Sequence, residues 1–248
     1  MIGNYSDQML DSQLYFKLTS NIDLNDINFD DDYLCEYFNG ELDGNGHEFT
    51  LTNSMLGVFA NAYESATFSN LKLILGTKRV MLCSGVGCDN TEVIFNDISI
   101  ECANDDTSIE LGKNEGLFVD WVGHNNIDTT EYYKKTMLTI NCCNVYCNIT
   151  GTNYNTVFIG GGLFKNSIVT ISNSCYYGTY TGEYVNLILG NASTRSYYPS
   201  CSLNAEYVIN SGVLIGFKRI PMLAAGYSST EYVNGTFTDC DIGLVTTS

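Results

Sequence analysis

A glycine-rich stretch over residues 40–46 constrains the fold of this chain more than any other feature. It reads Gly-Glu-Leu-Asp-Gly-Asn-Gly, and its Asp-Gly and Asn-Gly pairs favour tight turns because Gly and Asn tolerate positive φ angles. Beyond it, apolar residues alternate with polar ones at Phe49 and Leu51. The stretch therefore predicts a sharp corner between two short strands, as in a coiled β structure.

A short motif recurs along the chain and gives a period. An apolar residue is followed by a polar residue, then by Asn, Asp or Cys, and then by a second apolar-polar run, at 67–73, 94–100, 139–145, 170–176 and 236–242. Asn and Asp tolerate the left-handed conformation, so we expect the chain to bend there. The apolar anchors are separated by 27, 45, 31 and 66 residues. We interpret these intervals as one, two, one and three multiples of a period of roughly 22–30 residues, which predicts a solenoid.

Composition agrees with an all-β chain and excludes some partners. Tyr (18) and Phe (12) are abundant while Pro is rare (2), which suits half-buried strands. The net charge is −17 with only 11 Lys and Arg residues, so we expect neither nucleic-acid binding nor attraction to anionic membranes. The sequence has no apolar run of about 18 residues, which predicts no membrane span.

Ten cysteines are interpreted as reduced, small core residues. Adjacent Cys142 and Cys143 should point to opposite faces of a strand, so we predict no metal site there, and we predict no cofactor. The first residues resemble no secretory leader. On that basis we expect a cytoplasmic or virion location, with the cell surface left open.

The chain is predicted to form one continuous β-helix over residues 37–248, preceded by an N-terminal cap over residues 1–36. A solenoid exposes unpaired backbone at its first coil, and a short amphipathic helix over 5–20 is expected to cover it. Loops of variable length are expected to leave the coils at 103–115, 124–136 and 191–202.

Residues 15–73 resemble the N-terminal part of right-handed parallel β-helix proteins with the pectate-lyase-like fold. The matching pieces are 15–24, 38–47, 57–59 and 67–73, and they are similar to the Gly-rich repeats of bacterial surface proteins and to the entry coils of phage tailspikes. The resemblance implies an all-β, single-stranded right-handed parallel β-helix. It does not imply one function, because the fold hosts lyases, glycosidases, adhesins and fibres. The calcium-carboxylate and catalytic-carboxylate sets of its enzymes have no matching pattern in this sequence.

Aromatic residues among Asn, Ser and Thr are the candidate binding residues. Trp121 and His124 could stack on a sugar ring and hydrogen-bond its hydroxyl groups, although a buried Trp beside a surface His is the simpler interpretation. His47 follows the glycine turn and is interpreted as a corner residue. The predicted binding set also includes tyrosines, whose exposed rings are typical of carbohydrate or protein recognition: Tyr132, Tyr133, Tyr176, Tyr177 and Tyr180.

The predicted function is a non-enzymatic structural or binding β-helix module, self-assembling or part of a virion, fibre or cell-surface assembly. Homo-oligomers and polysaccharide are the expected partners. The alternative is a polysaccharide lyase or glycoside hydrolase on the same fold. Three or more carboxylates converging on one sheet face would favour the enzyme, whereas a flat face lined by Tyr, Phe or Val and buried against a copy of itself would favour assembly.

Overall fold

The computed structural model describes residues 14–25, 33–52, 57–86, 91–113, 115–123, 135–152, 155–163, 167–190, 202–218, 222–224 and 234–247. These ranges contain strands and no helix. The strands are β1 (Leu14–Lys17), β2 (Ile22–Asp23), β3 (Tyr33–Asp43), β4 (Glu48–Leu51), β5 (Gly57–Leu75), β6 (Met81–Val86), β7 (Glu92–Cys102), β8 (Ser108–Leu111), β9 (Val119–Val122), β10 (Thr136–Asn141), β11 (Asn144–Val145), β12 (Asn148–Gly151), β13 (Asn155–Thr156), β14 (Ile159–Leu163), β15 (Ser167–Tyr176), β16 (Thr179–Gly182), β17 (Val185–Leu189), β18 (Ser202–Asn210), β19 (Val213–Gly216), β20 (Met222–Ala224), β21 (Asn234–Thr238) and β22 (Leu244–Thr247).

Equivalent strands of successive coils pair in parallel and in register. One path runs β1–β3–β5–β7–β10–β15–β18–β21, within a sheet of 17 strands. A second sheet stacks β8, β12, β16, β19 and β22. The predicted parallel β-helix is confirmed, and its right hand is what the resemblance implies.

Each recurring motif bends at one residue in the left-handed conformation. Besides Asn45 in the glycine-rich corner, the non-glycine residues with positive φ have values between 49° and 56°: Asn70, Asp97, Cys142, Asn173, Tyr207 and Asp239. Five of them are the Asn, Asp or Cys of the predicted motif, and Tyr207 marks a coil that the motif search missed. We call this the αL position of each coil.

The register corrects the predicted multiples of the period. Phe95 pairs with Ile140 directly, so the interval of 45 residues is one coil with an insertion and not two coils. Ile171 pairs with Ala205, and Ala205 pairs with Phe237, so the interval of 66 residues is two coils and not three. Coil length is therefore less uniform than the sequence interval suggested.

The core is a column of inward side chains that alternates with outward polar ones. Phe68 and Phe95 are 0% and 1% exposed, and their rings stack with centroids 5.2 Å apart. Val93, Ile100, Val169 and Ile171, all predicted to point inward, are also fully buried. Alternation with a period of two therefore sets the core.

The N-terminal segment is built differently from the predicted cap. Leu14–Lys17 is strand β1, which pairs with β3, and Ile22–Asp23 is strand β2, which pairs with β4. The helix expected over 5–20 is therefore wrong for residues 14–17, and residues 1–13 lie outside the described part. Strand β3 also runs across the predicted boundary at residue 37.

Two predicted loops can be compared with the structure. The segment 103–115 contains strand β8, which starts the second sheet, so it is not simply a loop. Residues 124–134 and 191–201 lie outside the described part of the chain. No helix in the described ranges is long and apolar enough to cross a membrane.

Candidate functional site

The structure separates the predicted binding residues. His124, Tyr132 and Tyr133 lie outside the described residues. Trp121 is part of strand β9 rather than a loop. A Cβ atom at Gly85, its register partner in the preceding coil, would collide with the indole ring, so Trp121 packs over the backbone of that coil.

Tyr176 and Tyr180 are core residues, and the prediction that they bind a ligand at the surface is wrong. Both are 0% exposed. Tyr176 pairs with Val145 in the preceding coil, and Tyr180 pairs with Ile149 and Leu214. Burial raises the pKa of both phenols well above the ordinary value. These two rings fill the interior.

Tyr177 points outward, because successive residues of a strand face opposite sides of the sheet. Its ring stacks on that of Tyr146 in the preceding coil, with centroids 4.7 Å apart and planes inclined by only 4°. Tyr177 is 46% exposed and Tyr146 is 49% exposed. The two rings thus form a rigid aromatic pair at the surface.

Both tyrosines follow the αL residue of their coil by four positions, and this shared position brings them together. Backbone hydrogen bonds from Tyr146 N to Ile100 O (2.8 Å) and from Tyr177 N to Val145 O (2.9 Å) hold the rows in register. Sequence reasoning missed Tyr146, because it considered only the cysteines of this segment. Aligning the coils on Cys142 and Asn173 would have identified the pair.

The outward side chains around the pair form a flat surface, which we call the tyrosine face. Its members lie two and four positions after the αL residues of five neighbouring coils, from Asn70 to Tyr207: Lys72, Ile74, Ser99, Glu101, Asn144, Tyr146, Cys175, Tyr177, Ile209 and Ser211. Its two charges pair with each other, since Lys72 Nζ lies 3.1 Å from Glu101 Oε1. The face is therefore aromatic and polar with no unpaired charge among these members, and the next coil adds the acidic Asp241 beside Ile209.

In the coil after Tyr177, the position equivalent to Tyr146 and Tyr177 carries a small residue instead of an aromatic ring. Ser211 N donates to Tyr176 O at 2.8 Å, which places the exposed Ser211 beside Tyr177 in the next coil, followed by Gly212. A serine side chain is too small to cover a phenol ring. Beside this row, Ile209 is 37% exposed. The Tyr177 ring therefore borders a ledge formed by Ser211, Gly212 and Ile209.

The Tyr177 hydroxyl remains protonated at neutral pH. The Cys175 side chain, hydrogen-bonded to it, raises the pKa of Tyr177 to about 12. The Cys175 sulfur also lies 3.4 Å from Ser211 Oγ. The edge of the ledge therefore presents hydroxyl groups that can donate or accept hydrogen bonds.

A buried ionic cluster lies elsewhere, around Arg79. The guanidinium is 8% exposed and lies 3.3 Å from Glu115 Oε1, contacts Asp120 Oδ1 and donates to Gly116 O at 3.2 Å. Burial raises the pKa of Asp120, and the charge of Arg79 opposes that shift. Because one guanidinium engages both carboxylates, the cluster joins the coil of Arg79 to the next coil, which carries Glu115 and Asp120.

The glycine-rich corner is a structural turn, as predicted. Asn45 and Gly46 have φ angles of 53° and 77°. Asp43 Oδ1 accepts from Asn45 N at 2.8 Å and from Asn70 Nδ2 at 3.0 Å, and Asp43 Oδ2 lies 3.2 Å from Lys17 Nζ. His47 Nδ1 lies 3.1 Å from Asn21 Oδ1, so His47 contributes to the corner.

Cysteines do not gather into a metal centre within the described ranges. No three His, Cys, Asp or Glu side chains in those ranges are placed to hold a metal ion. Cys142 is exposed and Cys143 is buried, so these neighbours do point to opposite faces. Seven cysteines are free thiols: Cys83, Cys102, Cys142, Cys143, Cys147, Cys175 and Cys240.

Comparisons with known proteins establish the fold alone. No protein-family model matches the chain, and no curated protein matches its sequence. A solved structure from Bacteroides ovatus, named a "putative immunoglobulin A1 protease", superposes with a TM-score of 0.58 at 13% identity. The match covers 92% of this chain and 68% of that one.

Proposed function

We propose that this chain is a non-enzymatic binding module whose tyrosine face recognises neutral carbohydrate. The observation that carries the proposal is the exposed, coplanar Tyr146–Tyr177 pair. Flat aromatic rings with polar edges suit ligands that have an apolar face and a rim of hydrogen-bonding groups. A pyranose ring has this character, with C–H bonds on its faces and hydroxyl groups around its edge.

The ledge beside Tyr177 is the proposed position of one sugar ring. A ring lying over Ser211 would continue the aromatic column, because neighbouring coils are spaced by about 4.8 Å. The Ser211 and Tyr177 hydroxyl groups lie at its edge, and the apolar side chain of Ile209 lies beside it. Backbone hydrogen bonds to the preceding coil hold Tyr177 and Ser211 in place before binding, so little conformational entropy is lost.

Charge favours neutral over anionic glycans. The net charge of −17 repels polyanions, and the lysine of the tyrosine face is paired with Glu101. The members of this face include no unpaired basic side chain that could bind an acidic polysaccharide. The proposed ligand is therefore an uncharged oligosaccharide that lies along or across the coils.

The test is a glycan array of neutral and acidic oligosaccharides, followed by calorimetric titration of each hit. Tyr177→Ala and Tyr146→Ala should each weaken binding of a neutral hit by about 5- to 10-fold, from the loss of one stacked ring. Tyr15→Ala is the matched control: its ring is 59% exposed in strand β1, away from the face, and affinity should stay within about twofold.

Three outcomes would count against this function. Neutral glycans could fail to bind up to millimolar concentration, or Tyr177→Ala could bind as well as the unchanged chain. Mass spectrometry of the hits after incubation gives the third, because cleaved products would instead support the lyase or hydrolase. Selective binding of acidic glycans would refute the charge argument.

Self-association is a second proposed property, favoured by a different sheet face. Twelve outward positions before the αL residues of four coils carry one charge, Glu92, and are otherwise Ser, Thr, Asn, Ile or Met: Ser65, Thr67, Ser69, Glu92, Ile94, Asn96, Met137, Thr139, Asn141, Ile168, Thr170 and Ser172. We call this the threonine face. Two copies of a chain with a net charge of −17 repel least through such a surface.

Light scattering during size-exclusion chromatography tests the second property. Thr139→Lys and Thr170→Lys should shift a dimer to monomer, because a two-fold interface would bring the introduced charges together. Thr150→Lys is the control, since Thr150 is exposed on strand β12 of the other sheet. A chain that stays monomeric at about 100 μM, well above a typical micromolar dissociation constant, would refute this property.

A further inference from the structure

Cys102 and Cys147 lie side by side on successive coils. Ile100 pairs with Val145, and Tyr146 N donates to Ile100 O at 2.8 Å, so continuing the register by two residues places Cys147 beside Cys102. Parallel neighbours lie about 4.8 Å apart, within the Cα separation of about 4.4–6.8 Å that a disulfide needs. The two side chains are close enough for Cys147 to lower the pKa of Cys102.

The two thiols differ in access. Cys102 closes strand β7 and is partly exposed, whereas Cys147 is fully buried. The next position of the same column is Gly178, where a Cβ atom would collide with the Cys147 carbonyl group. Backbone therefore approaches Cys147 closely from the next coil, and Cys102 is the sulfur that a reagent in solvent can reach.

Their chemistry differs in the same direction. The Cys147 thiol donates to the Cys102 sulfur, and with the backbone N–H of Asn148 it lowers the pKa of Cys102 below the ordinary value. The same hydrogen bond, together with burial, raises the pKa of Cys147. Cys102 is thus suited to be the attacking thiolate and Cys147 the resolving thiol.

We propose that Cys102 and Cys147 form a dithiol site that a small-molecule disulfide oxidises to a cross-link between coils. The Cys102 thiolate attacks one sulfur of the reagent, forms a mixed disulfide and releases one thiolate. Cys147 then loses its proton and attacks the Cys102 sulfur, and the second reagent thiolate leaves. The protein loses two protons and two electrons, and the reagent disulfide becomes two thiols.

The cross-link would join the two ends of the longest coil. The αL residues of that coil and the next, Asp97 and Cys142, are 45 residues apart. That coil runs from Cys102 through β8, β9, β10 and β11 to Cys147. Closing a loop of this length removes conformational freedom from the unfolded chain. Oxidation would therefore stabilise the part of the solenoid whose connection is longest.

The experiment incubates the folded full chain with oxidised glutathione and maps its disulfides by mass spectrometry. Combined cleavage after Glu, Lys and Arg isolates Cys102 in the peptide 102–110, without another cysteine. We expect this peptide to be linked through Cys147 to the peptide 136–165, and fragmentation of the linked pair distinguishes Cys147 from Cys142 and Cys143. We expect Tm to rise by about 5–10 °C. Dithiothreitol should reverse both changes.

Two variants separate the roles of the sulfurs. Cys147→Ser should accumulate glutathione on Cys102, because the resolving thiol is absent. Cys102→Ser should leave Cys147 unmodified, because Cys147 is buried. Cys83 and Cys143 are internal controls: both are 0% exposed, burial raises the pKa of each thiol to about 12, and neither should react.

Specific results would overturn the proposal. The folded chain could keep both thiols free under conditions that modify the exposed Cys142, or the cross-link could form only in urea. Glutathione on Cys147 in the Cys102→Ser variant would contradict the assigned order of attack. If either serine variant fails to fold by circular dichroism, the cross-linked peptide and the Tm shift of the unchanged chain still decide the proposal.

Discussion

The αL position of the third motif, Cys142, allows a sharp test of how the solenoid turns. Its φ angle is 54° and its side chain is exposed. An L-residue in this conformation costs about 1–2 kcal/mol, while glycine pays no such penalty. Glycine in turn loses about 0.5–1 kcal/mol through the greater freedom of the unfolded chain. Cys142→Gly should therefore stabilise the fold by about 0.5–1 kcal/mol.

Two further substitutions should destabilise the fold rather than stabilise it. Cys142→Val should destabilise the fold by about 1–2 kcal/mol, because a β-branched side chain is strongly disfavoured at positive φ. Asn144→Gly is the matched control two residues later, where strand β11 has extended backbone, and it should lose about 0.5–1 kcal/mol. The same change to glycine is thus expected to stabilise one position and destabilise the other.

Urea unfolding measured by circular dichroism and by tyrosine fluorescence provides the assay. The midpoint should shift in the stated directions, with an unchanged m-value and coincident transitions for the two probes. If both glycine variants shifted the midpoint in the same direction, the αL strain would not be the controlling quantity. A stabilising Cys142→Val would refute the backbone assignment.

Two other predictions concern the corner and the core. Hydrogen bonds from Asn70 and from the backbone N–H of Asn45, together with Lys17, hold the pKa of Asp43 at about 2, below its ordinary value. The ionised carboxylate therefore stabilises the fold above pH about 4. This stabilisation is lost as the pH falls toward 2. Asp43→Asn should lower the urea midpoint at pH 7, and the difference from the unchanged chain should vanish near pH 2; a constant difference across this range would contradict the assignment. The Phe95 ring is stacked 5.2 Å from that of Phe68 and is 1% exposed. Phe95→Ala should lower the free energy of unfolding by about 3–5 kcal/mol in the same urea titration. A loss below about 1 kcal/mol would show that the aromatic column repacks freely.

Local patterns predicted much of the fold. Alternation identified the inward side of β7 and β15, and the glycine-rich corner and five of the αL residues were found from the motif. These features depend on a few neighbouring residues, because side-chain alternation and positive φ are properties of the local backbone. The right number of coils between Phe95 and Ile140 was not predicted, since an insertion and an extra coil lengthen the interval alike.

The candidate site shows more clearly what local sequence patterns could not predict. Tyr176 and Tyr177 are adjacent and look alike in composition, and both were grouped as binding residues. The register decides that Tyr176 fills the core while Tyr177 faces outward. Tyr146 lies 31 residues before Tyr177 in the chain, and the distance between their rings follows only when both coils are aligned on their αL residues.

The sequence by itself therefore determined that this is a coiled β protein, where several of its corners lie, and that its charge disfavours polyanions. The tertiary structure decided which tyrosines reach solvent, which two rings stack, and which two cysteines meet. The physical reason is that corners and alternation are encoded within a few residues, whereas neighbours across coils depend on the length of every intervening loop. A shift of one residue in register would exchange the inward and outward side chains of a strand.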